Sequence, residues 1–400
     1  MTQSTILRKG TPEEAGMLPD RIEHVKQLAN GWVADGHTPS LVVLAARKGI
    51  IFLHEAFGSL RHEENSPPLR TDSIFPIASL TKPITATAIM ILVEDGLLGL
   101  NRPVVDYIPE ICGEGTEEIL VHHLLTHTSG YNEEELLKFM IERRGKWPEF
   151  PPYDETQHPL IHEFLHRLYP ASLWKSPGVE MSYCNHNYRL LGEIVRRVSG
   201  CSLANFSSER MFDPLGMPDT YYILPESQRS RIIKRSPEAP LAQRESRFME
   251  GIDSRQMQET PYAWAGVFST VMDMAIFGQM FLNGGRYGGT RILSRLTVSE
   301  MTRNQIPGIG TEFLGTWLPE ASYGLGWLVH GTTKWKYFEG SLHSLGSFCH
   351  PGGSGTCLWV DPNHDIVGVY FSVALEFTVK LELKYDFDLF QNAVVASIND

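Results

Sequence analysis

The stretch Phe75-Pro76-Ile77-Ala78-Ser79-Leu80-Thr81-Lys82 leads into an apolar run from Pro83 to Leu92, and this pattern predicts a helix over residues 79–95. Residues three apart on a helix are neighbours on one face, so the Ser79 hydroxyl and the Lys82 amine would lie side by side. An amine that accepts the proton of a neighbouring hydroxyl makes that hydroxyl a nucleophile. The pattern therefore indicates Ser79 as a candidate nucleophile and Lys82 as its base. The structural alternative for Ser79 is a helix cap.

A second tetrad with the same spacing, Ser172-Leu173-Trp174-Lys175, occurs later in the chain. It is followed at once by Ser176-Pro177-Gly178, where a helix cannot continue because proline lacks the N–H and clashes with the preceding turn. Only Ser79 is followed by a helix, so only Ser79 is expected to carry chemistry.

The composition is that of an ordinary globular protein: 400 residues, 42% of them hydrophobic and 20% charged. The formal net charge of −12 argues against a nucleic-acid or anionic-membrane partner, because either would favour a basic patch. A small-molecule or peptide-sized substrate is expected instead. No Walker-type loop or dinucleotide fingerprint occurs, so no cofactor is predicted. Oligomeric state is left open.

The segment from Met1 to Gly16 has no apolar core that would mark a signal peptide, and the longest apolar stretch, near Ile84 to Val93, is too short to span a membrane. The five cysteines are odd in number and lack paired metal-ligand spacing, which fits reduced thiols. We therefore expect a cytoplasmic protein without a structural metal.

The two ends of the chain carry the strand patterns. A hairpin is predicted from residues 41–46 and 50–57, with its turn at Arg47-Lys48-Gly49. Later strands are predicted over 323–330, 342–349, 355–360 and 366–373, and a closing helix over 386–398. Between them the patterns are mostly helical, with candidate helices at 79–95, 119–126, 159–169, 186–199, 202–213 and 270–283.

This order predicts an α+β fold with one antiparallel sheet built from both ends of the chain and flanked by helices. Residues 1–78 and 284–400 would form a discontinuous α/β sheet domain, and residues 79–283 a mostly helical domain. The active site is expected in the cleft between the two domains.

Two further segments carry candidate site residues. Tyr183-Cys184-Asn185 offers a phenol and an amide two residues apart in a non-helical segment, so both can point the same way. His350-Pro351-Gly352-Gly353-Ser354-Gly355-Thr356 joins two predicted strands, and its glycines indicate a bulge or a place where a ligand approaches the backbone. Taken singly, each segment could equally be an ordinary loop.

Together, Ser-x-x-Lys, Tyr-x-Asn and His-x-Gly resemble the class C β-lactamase-related family of serine hydrolases, which includes penicillin-binding-protein-like esterases of the family VIII carboxylesterase type, transesterases and D-amino-acid peptidases. The resemblance extends over residues 14–373 and includes four surrounding words in the family's order. These words are Phe75-Pro76-Ile77-Ala78-Ser79-Leu80-Thr81-Lys82, His123-Leu124-Leu125-Thr126-His127-Thr128-Ser129-Gly130, Pro214-Leu215-Gly216-Met217 and Gly266-Val267-Phe268-Ser269-Thr270.

The resemblance implies a β-lactamase/transpeptidase-like fold and a role for each motif residue. Ser79 would be the acylated nucleophile, Lys82 its base and Tyr183 a second proton carrier, with either Lys82 or Tyr183 as the base in acylation. Asn185 would be a positioning donor to the substrate or to Lys82, and the backbone N–H groups of Ser79 and Gly353 would form the oxyanion hole. Gly352 and His350 would contribute to substrate binding.

His350 stands where β-lactamases of this family carry the lysine of Lys-Thr-Gly. An unperturbed histidine is mostly neutral at pH 7 and so lacks the permanent cation that would attract a substrate carboxylate. The sequence therefore favours hydrolysis of neutral carboxylic esters through a Ser79 acyl-enzyme, with β-lactam hydrolysis as a side activity. The alternatives within the same fold are a β-lactamase proper and a D-amino-acid peptidase or transesterase.

Two readings from other classes remain. His162-Glu163-Phe164-Leu165-His166 spells HExxH, the zinc-peptidase word, although no third ligand pattern follows. The structural interpretation is an amphipathic surface helix with its histidines on the polar side. The second reading is a penicillin-recognising scaffold without turnover, which the intact Ser79, Lys82 and Tyr183 disfavour.

Overall fold

The computed structural model describes residues 4–243, 251–313, 315–332, 335, 338–374 and 386–399. Its strands, numbered in chain order, come mainly from the two ends of the chain. They are β1 Arg8–Lys9, β2 Ser40–Arg47, β3 Ile50–Gly58, β4 Phe75–Pro76, β5 Phe268–Ser269, β6 Arg286–Tyr287, β7 Thr290–Arg291, β8 Thr311–Phe313, β9 Thr316–Leu318, β10 Leu328–Val329, β11 Phe348–Gly352, β12 Thr356–Asp361 and β13 Ile366–Ser372.

The main sheet has the strand order β1-β3-β2-β13-β12-β11-β10. All of its pairs are antiparallel except the edge pair β1–β3, which is parallel, so the sheet is mixed rather than purely antiparallel. The central pair β2–β13 joins the N-terminal hairpin to the C-terminal strands. The predicted assembly of one sheet from both ends of the chain is therefore confirmed.

The helices lie mostly between the two groups of strands. They are α1 Pro19–Ala34, α2 Thr81–Glu94, α3 Val121–Leu125, α4 Glu133–Glu142, α5 Pro159–Leu168, α6 Asn185–Ser199, α7 Leu203–Ser207, α8 Asp213–Leu215, α9 Pro240–Gln243, α10 Arg255–Glu259, α11 Val271–Leu282, α12 Arg295–Met301 and α13 Phe387–Val395.

Both faces of the sheet are covered, as the central strand β2 shows. Its side chains alternate between two hydrophobic clusters, because successive residues of a strand point to opposite faces. Val42, Leu44 and Ala46 pack in the cluster that includes α2 and α11, whereas Leu41, Val43 and Ala45 pack in the cluster with α1 and α13. Every residue of β2 is therefore buried.

Helix α11 lies directly on the sheet. A Cβ added at Gly278 would stand 2.8 Å from Val367 Cγ1 of β13, so this glycine permits the close approach. The sequence assigns residues 270–283 to the helical part of the chain, yet here they cover the sheet. The division into domains 1–78 with 284–400 and 79–283 stays a prediction.

Within the described ranges of the chain, no helix is long and apolar enough to cross a membrane. All five cysteines belong to that part of the chain and are free thiols.

Candidate active site

Ser79 lies in a tight turn between β4 and α2. The preceding residue, Ala78, has a φ of 46°, a left-handed conformation that costs an alanine roughly 1–2 kcal/mol. Two neighbouring segments hold this turn in place: the Ile77 N–H donates to the Val267 carbonyl at 2.9 Å, and the Ile77 carbonyl accepts from the side-chain hydroxyl of Thr356 at 2.9 Å. The nucleophile is thus presented from a turn that is fixed on two sides.

Lys82 lies one helical turn after Ser79 and is fully buried. Its Nζ is 3.0 Å from Ser79 Oγ, 3.0 Å from Asn185 Oδ1 and 3.1 Å from the Trp264 carbonyl oxygen. The predicted contact between Ser79 and Lys82 is therefore present in the structure, together with the predicted contact to Asn185. The Trp264 carbonyl has no sequence signal, because any residue supplies such an oxygen.

The surroundings of Lys82 favour its neutral amine. Burial lowers the pKa of Lys82 well below its usual value, and Arg189 lowers it further, while Glu133 and Cys184 act in the opposite direction. Lys82 Nζ faces three oxygen atoms that can accept a hydrogen bond, those of Ser79, Asn185 and Trp264, and the Ser79 hydroxyl can also donate to the lone pair of a neutral amine.

Tyr183 stands beside Ser79 and Lys82 at the mouth of the site. Burial raises the pKa of Tyr183, while a hydrogen bond with the Ser79 hydroxyl lowers it. The residue is 42% exposed, but even the ordinary tyrosine pKa near 10 leaves the phenol protonated at neutral pH. Lys82 Nζ lies 4.7 Å from the centre of the Tyr183 ring. The Tyr183 phenol therefore carries its proton at neutral pH, while the burial of Lys82 favours a neutral amine.

His127 supports Tyr183 from behind. Its ring is buried, with its centroid 4.4 Å from that of Tyr183, and its Nδ1 accepts from the Cys184 N–H at 3.2 Å. His127 itself has a φ of 58°. His127 belongs to the family word His123–Gly130, which does not predict its contact with Tyr183.

Asn185 begins α6 and ties this helix to the nucleophile. Its Oδ1 accepts from Lys82, and its backbone N–H donates to Glu133 Oε2 at 2.7 Å. The contact with Lys82 is present, but Asn185 accepts this hydrogen bond through Oδ1, whereas the family resemblance implies a donor. Its role toward a substrate stays a prediction.

The glycine-rich turn after β11 reaches the nucleophile turn as predicted. A Cβ added at Gly352 would overlap the Ile77 carbonyl oxygen and Thr356 Oγ1, so the two backbones touch at this position. Gly353 follows directly. Its N–H and that of Ser79 therefore belong to adjoining turns, which is what a two-donor oxyanion hole needs.

His350 is buried, with 1% of its surface exposed, and its ring packs behind Tyr183 at a centroid distance of 6.5 Å. Its Nδ1 lies 2.8 Å from the Pro351 carbonyl and its Nε2 lies 3.4 Å from the Tyr323 hydroxyl. Burial, assisted by the charge of Lys82, lowers the pKa of His350 to about 3. The neutral imidazole inferred from the sequence agrees with this environment, but its direct contact with substrate stays a prediction that the burial disfavours.

The HExxH helix is placed differently from the prediction. His162 is buried rather than on a polar surface, because Nδ1 bonds Gln157 Oε1 at 2.8 Å and Nε2 bonds the Pro151 carbonyl at 2.7 Å. A metal ion would have to displace one of these bonds. Glu163 pairs with Arg167. Across the described part of the chain, no group of three or more His, Cys, Asp or Glu side chains is arranged to hold a metal.

Comparisons with known proteins show the family of this chain. The Beta-lactamase family model matches residues 23–391. Among curated proteins, the chain is 28% identical over 333 residues to Protein Rv1367c of Mycobacterium tuberculosis, covering 76% of this chain and 78% of that protein.

Solved structures share the fold at lower identity. A penicillin-binding protein homologue from Caulobacter crescentus is 20% identical with a TM-score of 0.73, and the match covers 96% of this chain and 99% of that one. EstCE1, described as a hydrolase with promiscuous acyltransferase activity, is 19% identical with a TM-score of 0.72, covering 95% and 98% of the two chains. Because the family model covers nearly the whole chain and the site carries a serine beside a buried lysine, the protein belongs to the β-lactamase family of serine hydrolases.

Proposed function

We propose that this protein hydrolyses carboxylic esters through an acyl-enzyme on Ser79. The observation that carries the proposal is the placement of Lys82, which is fully buried with its Nζ 3.0 Å from Ser79 Oγ. Lysine is a useful base at neutral pH only when its surroundings lower its pKa, and burial does so here.

In the first step, Ser79 Oγ attacks the ester carbonyl carbon while its proton passes to Lys82 Nζ. The carbonyl oxygen becomes an oxyanion that accepts hydrogen bonds from the backbone N–H groups of Ser79 and Gly353. The ester C–O bond then breaks, and the alcohol leaves with a proton donated by Tyr183. Lys82 returns its proton to Tyr183, which leaves the amine neutral again.

In the second step, a water molecule attacks the acyl carbonyl and gives one proton to the same pair of groups. The Ser79 ester bond breaks, Ser79 Oγ regains a proton, and the carboxylic acid is released. The net reaction consumes one ester and one water and yields one acid and one alcohol. The same Lys82 and Tyr183 serve both steps, so no further proton carrier is required.

The neutral state of His350 supports an uncharged ester as substrate over a β-lactam or a peptide carboxylate. At this position the family's β-lactamases place a cation, whereas the imidazole here is buried and holds no charge at neutral pH. We therefore place β-lactam hydrolysis second, as a weak activity of the same serine. EstCE1, which shares the fold, is itself described as a hydrolase with acyltransferase activity.

The test is a panel of p-nitrophenyl esters of increasing chain length, run beside a chromogenic cephalosporin, with Ser79→Ala as the blank. We expect ester turnover by the native protein, slower or no cephalosporin turnover, and loss of both in Ser79→Ala. Labelling of Ser79 by a fluorophosphonate without turnover of any ester would favour a non-catalytic scaffold. Ester turnover by a folded Ser79→Ala variant at the native rate would refute the proposal.

A further inference from the structure

Behind the reacting groups, Glu133 supports the Tyr183-Cys184-Asn185 segment. Glu133 is the first residue of α4, and its Oε2 accepts from the Asn185 N–H at 2.7 Å and from Cys184 Sγ at 3.3 Å. Asn185 in turn binds Lys82, so a single residue separates this carboxylate from the lysine.

Arg189 approaches the same place from α6. It lies four residues after Asn185, one helical turn along the same face. Its side chain is 11% exposed, and its Nη1 lies 3.8 Å from Glu133 Oε1. The guanidinium packs on the rings of Phe164 and Trp264, at 4.2 and 5.1 Å from their centres. Arg189 is thus a nearly buried cation beside the catalytic centre.

The two charges act on Lys82 in opposite directions. The Glu133 carboxylate raises the pKa of Lys82 and the Arg189 guanidinium lowers it. The other groups that face Lys82 are neutral hydrogen-bond partners or buried titratable groups, namely Ser79, Asn185, the Trp264 carbonyl, Tyr183, Tyr188, Cys184, His127 and His350. Around Glu133 on its own helix stand Glu134, Glu135 and Lys138.

We propose that Glu133 and Arg189 form a charge pair that sets the pH range in which Lys82 acts as base, Glu133 favouring the ammonium form and Arg189 the neutral amine. Both are positioning residues, since neither touches the reacting atoms. The two charges oppose each other, with the effect of Glu133 the larger, and burial outweighs both in favouring the neutral amine of Lys82. This inference rests on the proposed function, because it assigns the role of base to Lys82.

The test is the acid limb of the kcat/KM profile for a p-nitrophenyl ester, which reports the essential base of the free enzyme. Glu133→Gln keeps an oxygen acceptor for the Asn185 N–H but removes the negative charge, so the limb should move to lower pH by about one unit. Arg189→Gln should move the limb to higher pH by about the same amount. The double variant should return close to the native limb.

Matched controls separate charge from structure. Glu134→Gln removes the same charge from the next residue of α4 and should leave the limb in place. The backbone N–H of Glu134 donates to Asn132, and no hydrogen bond or ion pair joins Glu134 to Asn185 in the described part of the chain. Arg189→Lys keeps the cation and should also leave it in place. A merely structural role would lower the melting temperature and kcat without opposite shifts.

Limbs that stay fixed in both charge-removing variants, or that move in the same direction, would overturn the inference. Its failure is distinguishable from failure of the proposed function. If Ser79→Ala abolishes ester turnover while the limbs do not move, only the charge pair is refuted. If Ser79→Ala retains turnover, the proposed function fails as well.

Discussion

Replacing Gly192 by alanine would test whether the two carbonyl acceptors of Lys82 must be held together. Gly192 lies on α6, the helix that begins with Asn185, and an added Cβ would stand 2.5 Å from the Cβ of Ala263. Ala263 precedes Trp264, whose carbonyl is the second acceptor. Carbon atoms in contact are normally about 3.5 Å apart, so α6 and this segment must separate by about 1 Å.

Two opposing effects on stability can be compared. Alanine in a helix interior is more favourable than glycine by about 1 kcal/mol, whereas overpacking costs about 1–3 kcal/mol. We expect a net loss of stability that leaves the protein folded. The effect on catalysis is larger, because a 1 Å displacement of catalytic groups can cost roughly 100-fold in rate, equivalent to about 2.7 kcal/mol of transition-state stabilisation.

The assay is kcat/KM for a p-nitrophenyl ester together with the melting temperature. Gly31→Ala is the control: Gly31 lies inside α1, and an added Cβ there meets no heavy atom within 4 Å. The control should keep the native kcat/KM and raise the melting temperature. A Gly192→Ala variant with native kcat/KM would refute the reasoning that the spacing between α6 and Trp264 sustains the base.

Three further predictions follow from single contacts. Gly352→Ala should lower kcat/KM severely, because the added Cβ would overlap the Ile77 carbonyl and displace the oxyanion-hole backbone at Gly353; native activity would contradict this placement. The pKa of His350 is about 3 in the folded protein and about 6.5 in the unfolded chain. As pH falls below about 6.5, the unfolded chain takes up a proton that the folded protein does not, so the free energy of unfolding decreases. At pH 5 this histidine costs roughly 2 kcal/mol relative to pH 7, and denaturant unfolding of His350→Asn should show a drop smaller by that amount; an equal drop would argue against a neutral buried imidazole. For His162, whose ring nitrogens are both bonded, a chelator should leave ester turnover unchanged, and His162→Ala should cost about 1–3 kcal/mol in the free energy of unfolding; chelator inhibition would reopen the zinc reading.

Much of the fold follows from local pattern, and the exceptions have physical causes. The hairpin β2–β3 and the helices α2, α6 and α11 form close to their predicted bounds, because each has a strong hydrophobic pattern. Pro351 and Gly352 read as a turn, yet they continue β11. Within the described residues, β10 pairs with Phe348 and Cys349 and not with Pro351, so the missing N–H of Pro351 interrupts no described pairing on that side.

Helices α1 and α4 are absent from the predicted helices, although the sequence carries a signal for each. Helix α1 repeats apolar residues at helical spacing, with Ile22, Val25, Ala29 and Trp32 buried. Helix α4 begins at an Asn132 cap whose side chain accepts from two backbone N–H groups. Conversely, residues 323–330 read as a strand, but only Leu328–Val329 forms one. The length of β10 is set by its pairing with β11, and the periodicity of the sequence does not contain that information.

For the site, the sequence identifies the side chains but not what lies around them. The family motifs identify Ser79, Lys82 and Asn185, and helix spacing predicts that Ser79 and Lys82 are neighbours. All three side chains meet in the structure. Ala78 and His127 lie within two of the family words, but the words predict neither the left-handed conformation of Ala78 nor the position of His127 behind Tyr183. The Glu133–Arg189 pair lies outside the motifs. These features depend on contacts between segments far apart in the chain, and those contacts also decide the protonation of Lys82.

One partner of Lys82 is a main-chain oxygen, the carbonyl of Trp264. The identity of residue 264 can change without removing that oxygen, so the acceptor is invisible to any search for invariant side chains. The indole ring of Trp264 lines an apolar cavity beside α6, together with Phe164, Leu165 and Gly192. Substitution at Trp264 thus offers a route to reshape that cavity while the amine keeps all three of its partners.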